Sequence, residues 1–162
     1  MSHNPWWKGS RGEWYLVVQA GLFSLLVFGP RTCQGMPVWG SAFLRIGYVT
    51  GGTLFVAGVL LALTGAVNLG KNLTPLPMPK ENATLVVTGA YGLVRHPIYS
   101  GITFMAFGWG AWMHSWLTIG YALLLFIFFD IKSRREEQFL ADKLPGYVDY
   151  KKSVRKLIPY IY

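Results

Sequence analysis

Residues 98–131 read IYSGITFMAFGWGAWMHSWLTIGYALLLFIFFDI, two apolar blocks of about 16 residues joined by almost nothing beyond His114 and Ser115. A link that short turns the chain straight back. The blocks, Ile98 to about Met113 and Trp116 to Ile131, are therefore expected to form a tight antiparallel helical hairpin. Each is slightly short of the ~20 residues that a membrane-spanning helix normally needs. Trp109, Trp112 and Trp116 crowd the tip. Indole rings favour the headgroup level of a bilayer, so the tip reads as a membrane interface.

Two more apolar blocks lie upstream: Trp14 to Phe28, closed by Gly29-Pro30 (a span of about 14–29), and Ile46 to Leu69. The first is preceded by Trp6, Trp7, Lys8 and Arg11 and followed by no Ala-x-Ala site. It reads as a membrane helix rather than a cleavable signal. The chain is 52% hydrophobic and only 14% charged, against about 25% charged in soluble domains. The expected fold is all-α and integral to the membrane, a single domain over 1–162. It has four transmembrane helices, the last two a C-terminal helical hairpin, and a cytoplasmic helical tail. Gly47 and Gly51 are spaced as GxxxG, and Gly58 and Ala62 repeat the small-xxx-small pattern. Such faces let backbones approach closely in lipid. Packing within the chain is preferred over dimerisation, and the oligomeric state is left open.

The net charge of +8 has a topological explanation. With both ends in the cytoplasm, the inside holds Lys8, Arg11, Lys71, Lys80, Arg95 and every basic residue from Lys132 onward, while the outside holds only Arg31 and Arg45. That split follows the positive-inside rule and accounts for the charge without nucleic acid. The bases are not interleaved with stacking aromatics on one soluble face, as a single-strand binder needs. One cysteine, Cys33, rules out an intrachain disulfide. His3, His96 and His114 show no metal-ligand spacing, so no metal is expected. Two polar segments, 70–97 and 132–162, then face the cytoplasm. Pro75, Pro77 and Pro79 keep the first extended. In the second, the helix continues from Lys132 to Lys143, stops at Pro145-Gly146, and is followed by a short helix from Tyr147 to about Lys156.

Chemistry-bearing residues gather at both segments. Pro97 suits the first turn of the third span. The free N–H groups of that helix start, with Arg95 and His96, make an anion site. Tyr91 and Tyr99 offer aromatic faces to a sulfonium or an amine. At the end of the fourth span, Lys132 and Glu136 are four apart on one face. The hairpin brings Glu136 back beside His96 and Tyr99. There its carboxylate suits the amino group or ribose of a nucleoside, and Lys132 or Arg135 suits an anionic acceptor. The competing reading is a snorkelling, positively charged flank.

The stretch Arg95-His96-Pro97-Ile98-Tyr99-Ser100-Gly101, with Thr84-Leu85-Val86-Val87-Thr88-Gly89-Ala90-Tyr91 before it, resembles the isoprenylcysteine carboxyl methyltransferase family. So do Glu136-Glu137-Gln138-Phe139-Leu140, the pair Tyr147 and Tyr150, and the late Pro159. That family sits within a wider set of membrane methyltransferases that includes phospholipid N-methyltransferases. The resemblance covers about Leu69 to Pro159. It implies S-adenosylmethionine as cofactor, held by Ala83, Thr84, Leu85, Val86, Tyr91, His96, Pro97, Ile98, Tyr99 and Glu136. It places the family's substrate-side arginine on Lys132, which keeps the charge but loses the bidentate fork. Leu144-Pro145-Gly146 and Arg155-Lys156 also depart from the family pattern.

The activity expected is methylation of a carboxylate on a lipophilic small-molecule or lipidated acceptor, drawn from among membrane lipids at a cytoplasm-facing site. Lys132, Arg135 and Glu136 form the catalytic set. Methyl transfer needs the acceptor in line at ~3–3.5 Å and a dry site, because the sulfonium charge disperses in the transition state. A carboxylate needs only a cation to orient it, while an amine needs a proton acceptor, Glu136 or Glu137. Three alternatives stand beside this reading: a phospholipid or small-amphiphile N-methyltransferase, a non-methylating relative of the sterol-reductase type, and a membrane adaptor.

Overall fold

The computed structural model describes residues 12–80 and 82–162. The Trp6, Trp7, Lys8 and Arg11 flank and His3 lie outside the described residues. Five α-helices follow in order: α1 (Glu13–Phe28), α2 (Ser41–Leu69), α3 (Pro97–Trp112), α4 (Trp116–Lys143) and α5 (Tyr147–Ser153). Short 3-10 turns occupy Gly70–Asn72 and Gly89–Gly92. The described residues form no strand beyond an isolated parallel bridge between Val94 and Arg155.

The helix ends have local causes. The Gly29 N–H closes α1 on the Leu25 carbonyl at 2.8 Å, and Pro30 stops further winding. Pro97 occupies the first turn of α3, where its missing N–H is harmless. The Ser115 hydroxyl caps α4 by accepting from the Thr118 N–H at 3.0 Å. α2 begins at Ser41, earlier than the apolar run at Ile46. Arg45 interrupts hydropathy but is a good helix former, so the helix runs through it. α5 ends at Ser153 rather than near Lys156. The reason is that the Arg155 and Lys156 carbonyls accept the Arg95 and His96 N–H groups at 2.8 and 3.2 Å, which keeps this stretch extended.

Two segments, Ser41–Asn72 and Trp116–Lys143, are long and apolar enough to cross a membrane. α1 and α3, at 16 residues each, are shorter than that. Only 17% of the apolar window of α2 is buried inside the protein. Leu60, Leu63 and Val67 stand out from it uncovered. A soluble core helix would bury those side chains, and a bilayer covers them.

A seam of small residues joins α2 to α3. A Cβ added at Gly101 would meet the Gly58 carbonyl oxygen at 2.5 Å and the Ala62 nitrogen at 2.6 Å. One added at Gly108 would meet the Phe55 nitrogen at 2.6 Å and the Gly51 oxygen at 2.7 Å. Backbone therefore lies on backbone along both turns, and the GxxxG spacing serves contacts within the chain. α3 and α4 run antiparallel. Gly110 packs against Ile119 at one end, and the Tyr99 hydroxyl bonds Glu136 at the other. α1 lies on α4, where Tyr15, Leu22, Phe23 and Leu26 cover a core of Ala106, Ala122, Leu125, Phe128 and Phe129.

Gly101→Val is expected to cost about 1–3 kcal/mol, because backbone atoms cannot move aside for the new side chain. Thermal unfolding in detergent reads this as a Tm several degrees lower. Gly120→Val, where a Cβ would meet nothing within 4 Å, leaves the Tm unchanged.

Candidate active site

A cavity of about 350 Å³ opens where α3 starts and α4 ends, within the ~300–1,000 Å³ usual for small-molecule sites. Helix phase decides which side chains enter it. On α4, Lys132, Glu136 and Leu140 line it at intervals of four, the spacing of one helical face, and Leu144 follows just past the helix end. On α3 the contributors are Ile98, Tyr99 and Ile102. The connection after α2 supplies the stretch Ala83, Thr84, Leu85 and Val86, and α5 supplies Tyr147 and Tyr150.

The residue after Glu136 faces another way. Glu137 is 4% exposed, and its Oε1 accepts from Arg95 Nε at 2.8 Å and lies 3.2 Å from His96 Nε2. Its Oε2 meets Lys151 Nζ at 2.9 Å. Arg95 also donates from Nη1 to the Lys151 carbonyl at 3.1 Å and to the Val154 carbonyl. These bonds join the segment before α3, the end of α4 and the chain around α5. A buried carboxylate is tolerated there because three cationic or imidazole groups surround it.

Glu136 is only partly covered. Its Oε2 accepts the Tyr99 hydroxyl at 2.8 Å and lies 3.8 Å from His96 Nδ1. No described residue reaches Oε1 with a hydrogen bond, so one lone-pair-rich oxygen is left for a ligand. The Tyr99 ring is stacked between His96, 5.5 Å away at 5°, and Phe129, 4.7 Å away at 7°. Lys132 is 1% exposed. Its ammonium donates to Gln19 Oε1 at 2.7 Å and to the Pro75 carbonyl at 3.0 Å, and it sits 5.2 Å from the Tyr99 ring centre.

Asparagines shape the loop wall. Asn72 holds Thr84 on both sides, donating to its carbonyl at 3.0 Å and accepting its N–H at 3.2 Å. Asn68 Oδ1 accepts the Ala90 N–H at 2.8 Å. Gly89 lies so close, at φ 63°, that any Cβ there would strike Asn68. Lys143 ties the proline segment to α4 through the Pro79 and Lys80 carbonyls at 3.3 and 2.8 Å. Burial pushes the Tyr91 phenol well above its usual range and Tyr150 up to about 12, so both stay protonated donors. The Tyr150 hydroxyl donates to the Tyr91 carbonyl at 2.6 Å.

Of the residues singled out from the sequence, Ala83, Thr84, Leu85, Val86, Tyr91, His96, Ile98, Tyr99, Lys132 and Glu136 all line this cavity. Pro97 does not. It is buried under α2, where Gly65 leaves room for its ring. Arg135 does not line the cavity either. One residue off the Glu136 direction, it is exposed, with its guanidinium 4.8 Å from the Phe139 ring centre and 3.4 Å from Gln138 Oε1. Gln19, Asn68 and Asn72 were missed. The available signal was a polar side chain within or closing an apolar helix, where such a group needs a partner. Among the described residues, no three His, Cys, Asp or Glu side chains gather as a metal site.

Residues 46–145 match the family model described as phospholipid methyltransferase. A cobalt-zinc-cadmium resistance protein, CzcN, of Cupriavidus metallidurans is 32% identical over 91% of this chain and 62% of its own. The protein-S-isoprenylcysteine O-methyltransferase of Schizosaccharomyces pombe is 28% identical over 91% of this chain and 67% of its own. A protein-S-isoprenylcysteine O-methyltransferase B of Arabidopsis thaliana is 28% identical over 67% and 57%. The solved structure of a eukaryotic intramembrane Ras methyltransferase, isoprenylcysteine carboxyl methyltransferase, shares the fold. Its TM-score is 0.60 at 23% identity, over 99% of this chain and 55% of that one. The chain thus spans from 57% to 67% of the curated relatives it matches.

Glu137→Ala strands Arg95 and His96 in a buried setting and is expected to cost about 3–5 kcal/mol. The check is a much lower Tm in detergent, with early proteolysis of the segment after Lys143. Glu136→Ala, which removes one accepted hydrogen bond at the cavity wall, keeps the wild-type proteolysis pattern.

Proposed function

The chain belongs to the phospholipid methyltransferase family, and on that premise we propose that it is an integral membrane S-adenosylmethionine-dependent methyltransferase acting on a carboxylate of a lipophilic acceptor. The observation that carries this reading is the meeting of Glu136 with Tyr99 and His96 around one cavity, although 37 positions separate the bonded pair Tyr99 and Glu136.

The cavity suits the cofactor in chemistry as well as size. It offers a Glu136 oxygen, one that no described residue bonds, to a ribose or amino group, the faces of Tyr91 and Tyr99 to positive charge, and a loop wall of Ala83, Thr84, Leu85 and Val86. Bound there, S-adenosylmethionine would supply a methyl group activated by its sulfonium. The protein's part is to bind, orient and exclude water. Lys132, with its charge among Gln19, Pro75 and Tyr99, orients an anionic acceptor. No base is required of the protein for a carboxylate. A second space of about 230 Å³, walled by apolar residues including Phe23, Leu26, Phe55, Met105 and Trp109, shares Ile102 with the first. It gives the acceptor's hydrocarbon part a dry place beside the reacting end.

In this reading 1–162 is one domain. The four helices α1 to α4 all cross the bilayer, α1 and α3 being short spans. The basic excess of the loop after α2 and of the C-terminal segment sets the active site on the cytoplasmic side. One observation favours a second acceptor class. Lys132 already donates to two oxygens, and Glu136 has an oxygen free to accept a proton, an arrangement suited to an amine.

Incubation of the detergent-solubilised protein with methyl-labelled cofactor and a panel of prenyl-thiol carboxylates and phospholipids tests the reading. A base-labile labelled product is expected, and a base-stable one selects the amine class. Absence of any labelled product and of S-adenosylhomocysteine binding removes the methyltransferase reading in favour of a non-methylating relative or an adaptor. Glu136→Ala is expected to abolish S-adenosylhomocysteine binding in calorimetry, and retained tight binding counts against the site. Lys132→Met is expected to lower turnover by about 10²-fold through lost orientation while the cofactor still binds.

A further inference from the structure

Residues 157–162 read LIPYIY and form a turn that comes back from α5 onto α4. The turn is closed on itself. The Tyr162 carbonyl accepts the Leu157 and Ile158 N–H groups, both at 2.7 Å, and the Tyr162 N–H donates to the Ile158 carbonyl at 3.0 Å. It is also fixed to α4. The Tyr162 hydroxyl donates to Asp130 Oδ1 at 2.8 Å, Lys156 Nζ meets the same oxygen at 2.6 Å, and the Tyr162 ring centre lies 6.5 Å from that of Phe126. What this fixed turn presents outward is apolar: Tyr160 is 80% exposed and Ile161 76%. Tyr160 moreover sits at φ 64°, a left-handed conformation that is costly for a bulky residue and easy for glycine. A bare turn in water gains nothing from a large ring at such a position, so the outward side chains point to a covering surface.

Height along α4 says what that surface is. From Trp116 to Phe129 α4 carries no charged residue; Asp130 is the first, and Lys132, Arg134 and Arg135 follow. Asp130 thus marks the polar edge of the apolar stretch, and Phe126 lies one helical turn, about 6 Å, inside it. Tyr162 touches both, which holds the turn at this edge. The face of α4 that it adjoins is itself open and apolar, with Leu123, Leu124, Ile127 and Ile131 46% to 52% exposed. A bilayer covers such side chains on a spanning helix, and the same surface continues to the turn. Tyrosine, with an apolar ring and a polar tip, favours the headgroup level. Arg134, 67% exposed and 2.7 Å from Asp130, puts a cation at that level too, where anionic headgroups lie.

We propose that residues 157–162 form a bilayer-contacting anchor, with Tyr160 and Ile161 seated at the headgroup–acyl boundary beside the end of α4. This rests on the reading of α4 as a membrane span. The anchor follows directly on Arg155 and Lys156, whose carbonyls accept the Arg95 and His96 N–H groups. Lipid contact therefore secures one end of the extended stretch that holds the start of α3.

The test uses the full chain in vesicles of phosphatidylcholine and phosphatidylglycerol, in a Cys33→Ser background that removes its one cysteine. A nitroxide is attached at Tyr160→Cys, at Ile161→Cys, at Leu124→Cys on the open face of α4, and at Asp149→Cys on α5, where the native side chain is 82% exposed. Collision with oxygen, which concentrates in lipid, is compared with collision with a water-soluble nickel chelate. Positions 160 and 161 are expected to show an oxygen-to-nickel ratio severalfold above that at 149 and approaching that at 124. A ratio at either position no higher than at 149 puts the turn in water and overturns the anchor. Low collision with both reagents means that protein covers the turn, a second copy of the chain included, and overturns it as well. A water-like ratio at 124 overturns the membrane reading of α4 and the anchor together.

Discussion

The clasp centred on Glu137 joins three pieces of chain that are far apart in sequence. Arg95 and His96 precede α3, Glu137 lies near the end of α4, and Lys151 is on α5. The bonds range from 2.8 to 3.2 Å around a carboxylate that is 4% exposed. In that setting a charge is stable only while every partner stays in place. The arrangement is therefore close to all-or-none. With the clasp formed, α5 covers the cavity, and the extended chain at Arg155-Lys156 bonds the Arg95 and His96 backbone.

The clasp needs α3 and α4 fixed first. In lipid, apolar side chains gain little by leaving one hydrocarbon surrounding for another, so helices associate through close packing and hydrogen bonds. The small-residue seam provides the former between α2 and α3. At its upper end Gly65 accepts the Pro97 ring, which sets the height and direction of the α3 start. The His96 ring and the Tyr99 ring then stack nearly parallel, at 5°. The site is in this sense held from two sides: backbone contact beneath it and ion pairs above it.

Much of this was legible in the chain itself, and the limits have physical causes. The hairpin of α3 and α4 followed from block length and a link too short for anything else. The approach of Glu136 to His96 and Tyr99 followed from the hairpin. Arg135 lies outside the cavity lining because of helix phase, which charge alone does not encode: the interval of four that admits Lys132 and Glu136 turns their neighbour away. Pro97 belongs to the motif for its backbone and packing rather than for contact with the cavity. Gln19 was invisible because its partner Lys132 lies 113 positions away, and no local pattern encodes how α1 docks on α4. Asn68 and Asn72 act on a loop whose path is set by these same bonds, so composition alone read it only as extended.

The twin acidic residues show why adjacency in sequence separates function in space. Successive residues on a helix point about 100° apart, so two neighbouring carboxylates at a crowded helix end cannot share one environment. Glu137 is turned toward three cationic or imidazole groups and is saturated by them. Glu136 is turned toward the cavity, and one of its oxygens takes no hydrogen bond from any described residue. The division is useful because the two tasks make opposite demands. A structural carboxylate must have every lone pair satisfied when the protein is empty, whereas a ligand-binding carboxylate must have one to spare. His96 lies between them, 3.2 Å from one and 3.8 Å from the other. The imidazole thus touches both the clasp and the polar end of the cavity, so the residue that holds the C-terminal segment also lies against Glu136.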